Sequence, residues 1–129
     1  MKIDHIVFKS KAYTTVLNER SELVEEFSDH HSCRMGKWYY EGAGKRFFSH
    51  TKAYKAMEGP HATVHKMVLE TIPCALEKNC LTHEKRELVV KNFSKMEEAS
   101  NTLFKLIREM IREANADIID IIEPMQKSA

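Results

Sequence analysis

The stretch from Thr82 to Glu123 holds neither glycine nor proline, and its apolar residues recur at helical intervals. Leu88, Asn92, Met96, Ala99, Leu103, Leu106 and Met110 follow one another at spacings of three and four, which keeps them on one face of a helix. Thr82 is placed to cap that helix, and Glu84 falls in its first turn, where negative charge is favoured. Pro124 and the polar QKSA end mark a loose tail. A helix this long commits the rest of a 129-residue chain to packing against it, so an all-α bundle is expected. The DIIDII tract near Ile118 suits a strand as well as a helix end. The helix end, with an apolar stripe open to a partner, is the expected form.

Earlier in the chain, Ile3, Ile6, Tyr13 and Leu17 fall at helical spacings, with Phe8, Ala12 and Val16 beside them. They predict a first helix from about Ile3 to Phe27, fraying near Ser28. Ser32 is a candidate N-cap for a short helix from Cys33 to Tyr40, which Gly42 and Gly44 end. A further short helix is expected over Ser49–Met57. Gly59-Pro60 punctuates the chain, and Pro60 is tolerated at the first turn of a new helix. A helix is therefore expected from about Pro60, with a kink or stop near Pro73; one kinked helix running through Pro60 is the alternative. The fold class predicted is all-α, a four-helix bundle with additional short helices between helices 1 and 3. Residues 1–116 form the bundle, and 117–129 the helix end and tail.

The formal net charge of +1 creates no strong field, so nucleic acid and membrane insertion are not expected. No apolar run approaches the roughly 20 residues a spanning helix needs. Charges interrupt the N-terminus too early for a signal peptide, and a cytoplasmic setting is expected. Three cysteines, an odd number, argue against a disulfide framework.

His61 and His65 lie four residues apart, one turn apart on one helix face, which suits two imidazoles on one ion. The pair alone is a weak signal. The zincin pattern is absent, because Ala62 stands where a glutamate base would follow His61. Cys33 adds a favoured zinc ligand, although a lone cysteine is as often a small buried hydrophobe. His5 sits among Ile3, Ile6 and Phe8, where a hydrogen-bonded core histidine is the plainer reading. A di-iron carboxylate bundle needs Glu-x-x-His on two helices, which this chain lacks.

The fragments DHIVFK, CRMGKWYYEG and PHATVH, in this order, resemble the chemoreceptor zinc-binding domain over roughly residues 2 to 115. The resemblance implies that His5, Cys33, His61 and His65 hold one Zn2+. It implies a homodimer and a sensory role beside a signalling output domain or the chemotaxis machinery, with zinc or an oxidant of the bound cysteine as input. Such a shell of three histidines and one cysteine leaves no open position for an activated water, so no enzyme is expected. Within the motif, Gly36 is expected to permit close helix approach, and Trp38 to be core or a lid. Arg34 is expected in solvent, with thiolate stabilisation as its other role. Asp4 is expected to point away from the site, with a supporting contact as the alternative. His30 and His31 are expected at a helix end in solvent, with ligation as theirs. Cys74, Cys80, His50 and His83 fall outside the pattern.

Overall fold

The computed structural model describes residues 2–127, with side-chain surroundings for residues 3–117. In chain order the helices are α1 (Lys2–Leu17), a 3-10 helix (Ser21–Glu26), α2 (Arg34–Tyr40), α3 (Ala43–Phe48), α4 (Lys52–Thr71), α5 (Cys74–Glu77) and α6 (His83–Lys127). No strand occurs among the described residues. The all-α bundle is as expected. Its frame is α1, α4 and α6, and the short helices lie between α1 and α4 and between α4 and α6.

α4 and α6 form the dominant pairing. They run antiparallel: Asn92 donates to the Thr71 hydroxyl at 3.1 Å near one end, and the Glu113 carboxylate meets the start of α4 at the other. α1 runs antiparallel to α6, with Lys9 paired to Glu97 at 3.3 Å and the Tyr13 ring 4.8 Å from that of Phe93. Two apolar cores result. One joins Ala12 and Val16 to Val64, Val68, Ile72, Phe93 and Met96. The other joins Met35 and Tyr39 to Tyr54, Met57, Leu103 and Met110. α2 is fixed to α4 by the stacked rings of Tyr39 and Tyr54, 4.1 Å apart. Each hydroxyl donates to the other's backbone carbonyl.

α1 stops ten residues short of its expected end. Glu19 adopts a left-handed φ of 48°, and the Arg20 amide reaches back to the Thr15 carbonyl at 2.9 Å. This is a Schellman closure made without glycine. Leu23, Val24 and Phe27 continue the apolar pattern, but in a 3-10 turn and the strand-like residue after it.

α4 starts at Lys52 and runs through Pro60, the alternative reading of that segment. Its first amides all find acceptors. Thr51 Oγ1 accepts from the Tyr54 amide at 3.1 Å. Glu113 accepts from the amides of Lys52 and Ala53 at 2.8 and 3.1 Å. That cap from α6 and the length of the α4–α6 contact outweigh the hydrogen bond Pro60 cannot make. α4 ends at Thr71, and Pro73 opens α5. Gly42 caps α3 instead of only ending α2, and Gly44 lies inside α3 against the indole of Trp38. Trp38 is thus partly buried at that corner, packed against the second core. Thr82 caps α6 as expected, its hydroxyl accepting from Lys85 at 3.4 Å.

The cysteine count misled in one respect: Cys74 and Cys80 form a disulfide. Cys80 is fully buried in the first core. An odd total does not prevent one local pair when a tight turn brings two cysteines together, with Cα atoms 4.9 Å apart.

Candidate metal centre

Each element delivers its residue for a local reason. His5 lies one turn into α1, whose Ala12 and Val16 hold the helix in the first core. Cys33, and not Ser32, is the N-cap of α2, with extended backbone at ψ 167°. In that position a side chain faces the open amides of the first turn, and the Gly36 amide donates to Cys33 Sγ at 3.3 Å. His61 and His65 occupy one face of α4, between the two apolar cores. The four ligand atoms, three imidazole nitrogens and one sulfur, all lie within 4.8 Å of one another.

The site is dry. His5, His61 and His65 are 3%, 1% and 1% exposed, and Cys33 is half-buried. The ring centroids of His5 and His61 are 4.8 Å apart, and those of His61 and His65 are 5.0 Å apart. Cys33 Sγ lies 3.3 Å from His61 Nε2. A tetrahedral zinc with bonds of about 2.0–2.3 Å has ligand–ligand edges of about 3.3–3.6 Å, so this edge is already of the right size.

Burial sets the protonation states. It pushes His61 down to about 2, with the neighbouring His5 and His65 adding to the shift. It also lowers His65, against the opposing pull of the Ser28 carbonyl. Both imidazoles are therefore neutral, the form that ligates. Burial raises the Cys33 thiol, opposed by the Gly36 amide. A bound cation supplies what the thiolate lacks in this apolar setting.

His65 shows the fit most directly. Its Nδ1 lies 2.7 Å from the Ser28 carbonyl oxygen. A carbonyl only accepts, so the proton is on Nδ1 and the Nε2 lone pair is left for another partner. Nε2 is buried and has no hydrogen-bond partner among the described residues. A backbone carbonyl orienting a ligating imidazole in this way is a common feature of metal sites.

The remaining motif residues take plainer places. A Cβ on Gly36 would lie 2.0 Å from the His30 carbonyl oxygen and 2.7 Å from that of His31. The close approach that Gly36 permits is to this loop. His30 and His31 do not join the group of four. The His31 ring lies 4.6 Å from the Tyr40 ring, and that of His30 5.6 Å from the His61 ring. Arg34 is exposed, as expected, but it is paired with Asp4 at 3.4 Å. His50 pairs with Asp117 at 2.9 Å, far from the centre. The Ser28 carbonyl left no trace in the sequence, because any residue offers one.

A family model described as the chemoreceptor zinc-binding domain matches residues 5–72, just over half of the 129 residues. The chain belongs to the chemoreceptor zinc-binding domain family. All four clustered residues fall inside the match, which begins at His5. It ends with α4, short of the residue 115 to which the motif resemblance reaches. No curated protein and no solved structure was found to match the chain. The family binds zinc, and the cluster of three imidazoles and one thiol suits that ion.

Proposed function

We propose that His5, Cys33, His61 and His65 together ligate one zinc ion, and that the chain is a sensory or regulatory module of bacterial signalling rather than an enzyme. The observation that carries this reading is the convergence of these four side chains, from α1, α4 and the cap of α2, on one point. Four protein ligands close a tetrahedral shell, leaving no position for an activated water. The metal then acts as a crosslink between α1, α2 and α4, and its binding energy is helix-packing energy.

Two inputs act on such a crosslink. Free zinc sets occupancy. An oxidant such as hypochlorous acid converts the Cys33 thiolate to a sulfenic acid, releasing chloride and removing a strong ligand. Either change loosens α2 from α4, and α6 carries the result to an output domain or to the chemotaxis machinery. On this reading residues 1–116 are the sensing bundle and 117–129 the helix end that leaves it. A cytoplasmic setting goes with this role, and no helix among the described residues is long and apolar enough to cross a membrane. The Cys74–Cys80 disulfide weighs the other way, because cytosolic reductants keep such pairs open.

A second reading is a homodimeric interaction module with purely structural zinc. It is favoured by the exposed apolar side chains of Ile3, Val7 and Leu17 on α1 and of Val90 on α6. Elemental analysis of the purified protein beside His61→Ala and Cys33→Ser tests the centre. About one zinc per chain, sharply reduced in both variants, is expected; a metal-free wild type after zinc supply sinks it. Chelator separates the two readings. A sensor gives up zinc and stays folded by circular dichroism, whereas a structural site unfolds.

A further inference from the structure

The centre has a mouth, and the two residues that close it are sequence neighbours of two of the ligands. Asp4 precedes His5 on α1, and Arg34 follows Cys33 at the start of α2. Their side chains meet at 3.4 Å. They flank a cavity of about 240 Å³ whose lining includes Asp4, His5, Phe8, Cys33, Arg34 and His65, so three of the four clustered residues face it. A larger groove on the other side of α4, of about 400 Å³, reaches His65 alone of the four. The rim pair is solvent-accessible, with 37% of the Asp4 and 86% of the Arg34 side chain exposed. Lys11 also lines the cavity; it pairs with Glu26 at 2.9 Å and lies over the Phe27 ring.

We propose that this cavity is the route by which zinc reaches the centre, and that Asp4 is the capture residue that first takes the ion, held in reserve by Arg34. The inference rests on the zinc reading of the four-residue cluster. The chemistry is that of exchange. Carboxylate oxygen is a zinc ligand, and Asp4 offers one at the rim, ahead of His5 and Cys33 on the way in from solvent. Asp4 is reachable from water and shares the cavity with Cys33 and His5. Arg34 competes for the same carboxylate, since a guanidinium beside it cancels the charge that draws a cation. Asp4 lets go of Arg34 to take the ion at the mouth; once His5 and Cys33 have it, the carboxylate returns to the guanidinium. Asp4 thus acts directly in loading and Arg34 through it, and neither has a place in the final shell.

The two substitutions then have opposite signs, which a simple latch does not give. Stopped-flow uptake of zinc by the metal-free chain, with an indicator dye as competitor, reads the loading rate. Equilibrium competition reads the affinity. Asp4→Asn is expected to slow loading about two- to five-fold, the scale an exposed charge supplies. It should slow release by a similar factor, so affinity moves less than either rate. Arg34→Gln is expected to hasten loading. Val7 lines this cavity and Thr63 the other groove, so Val7→Phe, narrowing the mouth, should slow loading and Thr63→Phe should not. Loading at the wild-type rate by Asp4→Asn, faster loading by both rim variants, or an affinity loss as large as the rate change overturns the proposal. If the wild type takes up no zinc, the reading of the centre itself falls.

Discussion

The imidazole of His65 donates from Nδ1 to the Ser28 carbonyl oxygen at 2.7 Å, which ties a face of α4 to the loop after the 3-10 helix. The bond decides which nitrogen of His65 is available before any ion arrives. Nitrogen-15 spectra of the metal-free protein should therefore show His65 as the Nδ1-protonated tautomer. Zinc should move only the Nε2 resonance to a ligated position. A metal-free His65 that exchanges between tautomers, or a zinc-induced loss of the Nδ1 proton, contradicts the geometry.

The buried histidines make the metal-free fold acid-sensitive. His61 falls to about 2 and His65 is lowered, while an unfolded histidine titrates near 6.5. The unfolded chain therefore binds more protons than the folded one below about pH 6.5, and stability falls as pH falls. Above that value these two residues add no pH dependence. Each costs about 1.4 kcal/mol per pH unit once the pH is well below 6.5. Urea midpoints of the metal-free protein from pH 7.5 to 5 should decline only in the acid half. A flat profile would mean that the two rings are protonated or solvated in the fold.

Gly36 is the position where a single methyl group does most harm. A Cβ there would sit 2.0 Å from the His30 carbonyl oxygen, a backbone atom that cannot swing aside. Gly36→Ala must push α2 away from the loop, and Cys33 caps that helix. The cost expected is about 1–3 kcal/mol of stability, together with weaker zinc binding. Thermal unfolding and a competition titration measure the two. Gly59→Ala is the control, since a Cβ there meets nothing within 4 Å.

Opening the Cys74–Cys80 disulfide should lower stability by about 2 kcal/mol, the loop-closure entropy of so short a ring. Zinc content should not change, because neither cysteine belongs to the cluster. Denaturation of Cys74→Ser with Cys80→Ser, and of the wild type under a phosphine reductant, should agree. A matching loss of zinc would couple the disulfide to the metal centre and contradict this expectation.

Much of the architecture could be read along the chain. The unbroken spacing from Leu88 to Met110 called for α6 and hence a helical bundle, because one apolar face that long has to be covered. The i, i+4 relation of His61 and His65 put two imidazoles on one face through helix geometry alone. The order of DHIVFK, CRMGKWYYEG and PHATVH named the candidates His5 and Cys33, which no spacing rule reaches. Tertiary structure decided the rest. α1 ends at Leu17 and not Phe27 because Glu19 takes a left-handed turn for which the sequence offers no glycine. α4 passes through Pro60 because Glu113, 61 residues beyond Lys52, caps its first amides. The Asp4–Arg34 pair, the Ser28 carbonyl on His65 and the joining of Cys74 to Cys80 each depend on where distant backbone lies. Periodicity tells which side of a helix is apolar; which neighbour arrives there, and with which atom, is fixed only when the helices pack.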